Sequence, residues 1–187
     1  MNLRNSLERY GSVQIALHWA MLLLLAAVYA CIELKGFFAK GSDIREALKT
    51  WHFMLGLTVL ALATIRLVVH LIGPSPRIHP APPRWQELAG KLMHFALYVF
   101  MIAMPIVGWL VLSSGGKAIP FFGLQLPPLM GVNADLTDQL EEVHETVGEI
   151  GYFLVGLHAA AALAHHYLLH DDTLRRMLPQ WMQSRSR

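Results

Sequence analysis

The stretch "GYFLVGLHAAAALAHHYLL", Gly151 to Leu169, decides the fold. It is apolar over the length that crosses a bilayer core of roughly 30 Å, yet it holds His158 near its middle and His165 and His166 near its end. An imidazole at membrane depth is costly unless its nitrogens have partners. The question is therefore where the other histidines lie.

Working outward, 55% of the 187 residues are hydrophobic and only 15% are charged, the composition of a membrane protein. Four apolar runs stand out, at 15–32, 51–73, 92–114 and 147–169, each about the 20 residues that a spanning helix needs. Pro105 and Gly108 in the third are tolerable because neighbouring helices can satisfy the freed backbone groups. The reading predicts an all-α integral membrane protein, a single bundle of four transmembrane helices over residues 1–187. Arg4 and Arg9 ahead of the first run give it the outline of a signal peptide, but His18 inside it and three later spans favour an uncleaved helix.

The net charge of +2 and the scattered basic residues exclude a nucleic-acid partner and leave membrane lipid as the surroundings. The lone cysteine, Cys31, excludes an internal disulfide, and no C-x-x-C or C-x-x-C-H motif is present for zinc, iron–sulfur or covalent haem. Any metal chemistry must use histidine. With four spans the termini share a side. That side carries Arg4, Arg9, Arg66, Arg77, Arg84, Lys91, Arg175, Arg176, Arg185 and Arg187, against Lys35, Lys40, Arg45, Lys49 and Lys117 opposite. The positive-inside rule then predicts both termini in the cytoplasm, with Trp181 in a cytoplasmic interfacial segment.

In this orientation His52 and His144 begin the second and fourth spans at the outer side, and share a depth. His18 lies near the cytoplasmic start of the first span, toward which the fourth returns with His158, His165 and His166. His144 and His158 are fourteen residues apart, so along a helix they are separated by roughly 21 Å and stay within about 40° of one face. Two stacked sites are implied, each with two strong candidates. Zinc would want a third or fourth ligand. A haem iron takes four equatorial nitrogens from its macrocycle and needs two axial ligands, so non-covalent haem b fits best. Small residues leave room beside the ligands: Gly56, Gly148, Gly156 and the Ala159–Ala162 run. The competing reading is that small residues let helices approach and the histidines bond across interfaces. By depth alone His165 matches His18 better than His158 does. His94 reads as an interfacial polar residue; His70, His79, His166 and His170 read as solvated. Arg66 reads as either snorkelling to headgroups or pairing with a haem propionate.

Around these histidines the chain resembles the small bacterial cytochrome b561 family, four-helix di-haem membrane proteins. The likeness rests on "IALHWAMLLLLAAVYACIELKGFF", on "WHFMLGLTVLALATIRLV" and above all on "EEVHETVGEIGYFLVGLHAAAALAHHYLLHDDTLRRMLP". It implies two haem b groups, His18 paired with His158 and His52 with His144 as axial iron ligands. It also implies superoxide as an outer donor and ubiquinone as the acceptor, in the bacterial inner membrane. Related di-haem subunits anchor hydrogenases and formate dehydrogenases, so a protein partner is allowed without being required. One departure concerns the proline-rich connection, where close relatives carry lysines and this chain offers Arg77 and Arg84.

The expected activity is that of an oxidoreductase, superoxide:ubiquinone in type. Two rivals stay open: a cytochrome anchor passing electrons from a dehydrogenase or hydrogenase to quinone, and a haem-free transporter using histidine relays. Quinone reduction is expected at the cytoplasmic end, near His165 and the "PSPRIHPAPPRW" connection, with Arg84 beside it and His94 a weaker candidate.

Overall fold

Apolar windows mark only the hydrocarbon part of each helix. The computed structural model, which describes residues 5, 6 and 9–179, has helices α1 (Ser12–Leu34), α2 (Asp43–Ile72), α3 (Arg84–Ser114) and α4 (Ala134–Tyr167). All four are long and apolar enough to cross a membrane. Arg4, Trp181, Arg185 and Arg187, which enter the expectations on orientation, lie outside the described residues.

Three helices begin well before their apolar windows because polar residues can start a helix in the interfacial region. Ser42 accepts from Arg45 N through its hydroxyl at 3.4 Å and from Glu46 N through its carbonyl at 3.1 Å. Asn133 receives Leu136 N on its side-chain oxygen at 3.1 Å and Thr137 N on its carbonyl at 3.0 Å. Asp43, Glu46 and Asp135 then place negative charge in the first turns, where the helix dipole favours it. Pro83 precedes α3 and its carbonyl accepts Glu87 N at 3.3 Å. Large apolar side chains on the helix exteriors, among them Leu23, Ile72, Phe95 and Phe153, are exposed, as a lipid-facing surface requires.

The described residues group into two compact units, one within 1–20, 64–99 and 151–187, the other within 21–63 and 100–150, so that each helix contributes to both. In the first, the segment after α4 ties back onto earlier elements. Trp19 Nε1 donates to Met177 O at 2.8 Å, Arg176 Nη1 to Pro76 O at 2.6 Å, and His79 N to Asp172 Oδ1 at 2.9 Å.

In the second, α3 closes with Lys117 N donating to Leu112 O at 2.9 Å and Gly116 N to Ser113 O at 3.1 Å. Gly116 has φ +64°, the left-handed residue that such a helix end needs. A small hairpin follows, β1 (Pro120–Phe121) against β2 (Leu124–Gln125), turning at Phe122 and Gly123, both with positive φ. Ile119 packs with Leu57 and Leu112, and Trp109 Nε1 donates to Pro127 O at 3.1 Å. The connection between α3 and α4 is thus anchored to α2 and α3.

Candidate functional site

His52 enters the second unit from the first half of α2. Its Nδ1 lies 3.1 Å from Val28 O on α1; a carbonyl only accepts, so His52 carries its proton on Nδ1 and leaves Nε2 with a lone pair. His144, on α4, faces it with ring centroids 6.2 Å apart and planes at 84°. A Cβ at Gly108 of α3 would stand 3.1 Å from His144 Cε1, so the absence of a side chain there lets the ring lie against α3. His144 Nδ1 is buried without a hydrogen bond of good geometry. Tyr29 Oη donates to Gly148 O at 2.7 Å, joining α1 to α4 one turn beyond His144.

The first unit holds a second facing pair, His18 and His158, with centroids 6.3 Å apart and planes at 69°. His94 of α3, exposed by area, brings its ring to 5.5 Å from that of His158. Arg66 Nη2 lies 2.9 Å from His18 Nδ1, and its guanidinium stands 5.9 Å from the centre of the Tyr98 ring. Arg66 Nε is buried without a partner. Trp19 packs edge-on against His18 at 5.5 Å, held by the Met177 carbonyl.

Both pairs can be tested for fit to an axially ligated iron. A metal–imidazole bond of about 2 Å, with roughly 1 Å more to the ring centre, puts two imidazoles on opposite sides of one ion about 6 Å apart. The two observed separations match it. No three His, Cys, Asp or Glu side chains among the described residues converge to hold a bare ion, so a macrocycle would have to complete the coordination. A side chain at Gly56, one turn from His52 on the same face of α2, would meet nothing within 4 Å; Gly156 is equally open but lies on the side of α4 away from His158. The His52 tautomer suits ligation through Nε2, its Nδ1–H held by a backbone carbonyl. At His18 the guanidinium can only donate, so it faces an Nδ1 lone pair, and ligation by neutral His18 through Nε2 requires Arg66 to withdraw.

Of the remaining sequence candidates, His165 is half-buried with its Nδ1 2.5 Å from Asp171 Oδ2. Arg84 opens α3, and among the described residues no hydrogen bond or ion pair joins it to His165. His70 stacks on Tyr98 at 6.3 Å and is half-buried, less solvated than its position in the chain implies. Sequence reasoning missed Gly108, Asp171 and the contact between Arg66 and His18. For Arg66 a signal existed: it follows His52 by the same interval that separates His158 from His144, and so shares the face of its helix.

Comparison with known proteins gives the same family for nearly the whole chain. A family model described as prokaryotic cytochrome b561 matches residues 9–180. Cytochrome b561 homolog 1 of Escherichia coli (strain K12) is 39% identical over 174 residues, covering 93% of this chain and 99% of that protein. Probable superoxide oxidase CybB of Yersinia pestis is 37% identical over 173 residues, 92% of this chain and 97% of that one. Cytochrome b561 homolog 2 of Escherichia coli (strain K12) is 28% identical over 186 residues, 95% of each.

Proposed function

The chain belongs to the prokaryotic cytochrome b561 family, and from that premise we propose that it oxidises superoxide and reduces ubiquinone with two haem b groups, each held by two histidines. Membership itself makes it a bacterial multi-pass membrane electron-transfer protein with haem b as cofactor. The observation that carries the finer reading is the pairing of His52 with His144 and of His18 with His158, at 6.2 and 6.3 Å. The name of the Yersinia pestis relative supports superoxide as the donor.

Haem, when bound, supplies one-electron redox chemistry. The chain supplies four imidazoles on α1, α2 and α4, fixes the His52 tautomer through Val28, and keeps α3 close to His144 by having glycine at 108. Two superoxide anions give up one electron each and leave as dioxygen; one ubiquinone takes both electrons and two protons and leaves as quinol. In this reading the protein is a single cytochrome domain in the inner membrane with both termini cytoplasmic, and the quinone reacts near His165 and the 74–85 connection. Support for that last placement comes from Asp172 and Arg176, which bind His79 and Pro76 of the connection just after α4.

The test is direct. Purified protein should bind two haem b per chain, show reduced b-type bands on addition of superoxide, and pass those electrons to a ubiquinone analogue. Protein without b-type bands would end the haem reading; bands reduced by dithionite but indifferent to superoxide would replace the donor.

A further inference from the structure

Beyond Tyr167 the chain leaves the helix and turns back on it. Leu168 N and Leu169 N both donate to Ala164 O, at 2.8 and 3.1 Å, His170 takes φ +55°, and Asp171 N donates to His165 O at 3.1 Å. This turn brings the Asp171 carboxylate onto the ring of His165. One carboxylate oxygen, Oδ2, faces His165 Nδ1; the other, Oδ1, accepts Thr173 N at 2.9 Å. Asp171 is buried, at 6% exposure, which by itself disfavours its charge; the hydrogen bonds from His165 and Thr173 outweigh this and hold the carboxyl below its ordinary value. An ionised carboxylate only accepts, so the bridging proton belongs to Nδ1, and Nε2 is the ring nitrogen left to exchange protons.

The same turn is fixed to the proline-rich connection. Asp172 N donates to His79 O at 3.1 Å, His79 N returns to Asp172 Oδ1, and Arg176 reaches Pro76 O. His165 and the 74–85 connection, the two parts of the quinone region named above, are thus linked through residues 171–176.

We propose that Asp171 is the positioning residue of a proton-delivering pair, holding His165 so that its Nε2 protonates ubiquinone as the quinone is reduced. This deepens the reading of the quinone region and rests on it. Each quinone takes two electrons from the transfer chain and two protons. Protonated His165 gives its Nε2 proton to a quinone carbonyl oxygen and is left as the neutral Nδ1–H form, still bonded to Asp171. A proton from the aqueous phase, relayed by water, then returns to Nε2 before the second transfer, and Asp171 keeps its charge throughout. The His165 side chain is 21% exposed and so within reach of water, while that of Asp171, at 5%, is not the port itself.

The experiment uses haem-loaded protein in lipid nanodiscs. Asp171→Asn should lower kcat for ubiquinone reduction by about ten- to a hundredfold, the scale of losing part of a general acid's action. KM should move less than about threefold, and the haem spectra and rate of haem reduction should stay as in the parent. Asp171→Glu should recover most of the loss. In 15N spectra of the protein labelled at histidine, His165 should report Nδ1–H in the parent and lose that preference in Asp171→Asn. Should that variant fail to fold, His165→Gln, which leaves Asp171 an amide donor, carries the test and should show the same kcat loss with haem bands intact. His165→Phe slow with Asp171→Asn at parental turnover would overturn the pairing while leaving the quinone region in place. Parental turnover in both would overturn the quinone region and this inference together.

Discussion

His144 lies directly against Gly108: a Cβ at that glycine would stand 3.1 Å from Cε1 of the ring, closer than ordinary van der Waals contact. An alanine in a helix interior gains about 1 kcal/mol over glycine, whereas overpacking costs about 1–3 kcal/mol, so at this site the contact outweighs the propensity. Gly108→Ala should lower thermal stability slightly, and Gly108→Val should displace the ring and reduce haem content from two toward one per chain. Pyridine haemochrome assay against protein concentration measures this. Two haems retained in Gly108→Val would show that the contact does not position His144.

The facing pairs predict losses in pairs. His52→Ala and His144→Ala should each remove the same haem, and His18→Ala and His158→Ala the other, leaving about one haem per chain in every case. His165→Ala should keep both. Low-spin signals in electron paramagnetic resonance distinguish the two centres, so the missing signal identifies which was lost. Loss of a haem in His165→Ala, with His158→Ala unaffected, would reverse the assignment within α4.

The two facing pairs were legible in the sequence because hydropathy and depth are one-dimensional. The apolar runs position His52 beside His144 in depth, and the helical repeat keeps His144 and His158 near one face. Depth left His158 and His165 unresolved and resemblance chose between them; in the fold the ring of His158 faces His18, while that of His165 is engaged by Asp171. Asp171 itself was out of reach, because its approach depends on a left-handed residue, His170, that no hydrophobic period encodes. The approach of His94 to His158 was out of reach for a related reason: its depth was evident, but the rotation of α3 that brings the two rings together depends on packing. Ser42 and Asn133, which cap α2 and α4, lie in polar stretches outside the apolar windows, so hydropathy does not mark these helix starts although the cap residue types do.

Arg66 carries a fixed positive charge beside His18, with no carboxylate paired to it among the described residues. A cation near an iron centre favours the reduced state, which carries one positive charge fewer. Arg66→Gln should therefore lower the midpoint potential of one haem, on the order of tens of millivolts for a charge interacting across a partly polar interior. The other haem should hold its potential. A potentiometric titration followed in the b-type bands resolves the two, and equal shifts in both, or none, would count against Arg66 acting at the His18 pair.

Superoxide is a small anion, and of the five cations expected on the donor side three are engaged. Lys49 pairs with Glu46 at 2.8 Å, Lys117 with Glu141 at 3.6 Å, and Arg45 donates to the carbonyls of Lys35 and Phe38. Lys35 and Lys40 form no ion pair among the described residues. A paired lysine presents little net field, since its carboxylate cancels most of it beyond a few ångströms. Lys35→Gln and Lys40→Gln should accordingly slow haem reduction by superoxide, together by roughly threefold at low salt, while Lys49→Gln and Lys117→Gln change it little. Raising the ionic strength to 0.15 M, where the screening length is about 8 Å, should shrink the difference between variants and parent. Stopped-flow reduction with a pulse of superoxide measures both effects. Rates independent of salt and of Lys35 and Lys40 would mean that the donor reaches the His52 and His144 pair without electrostatic capture.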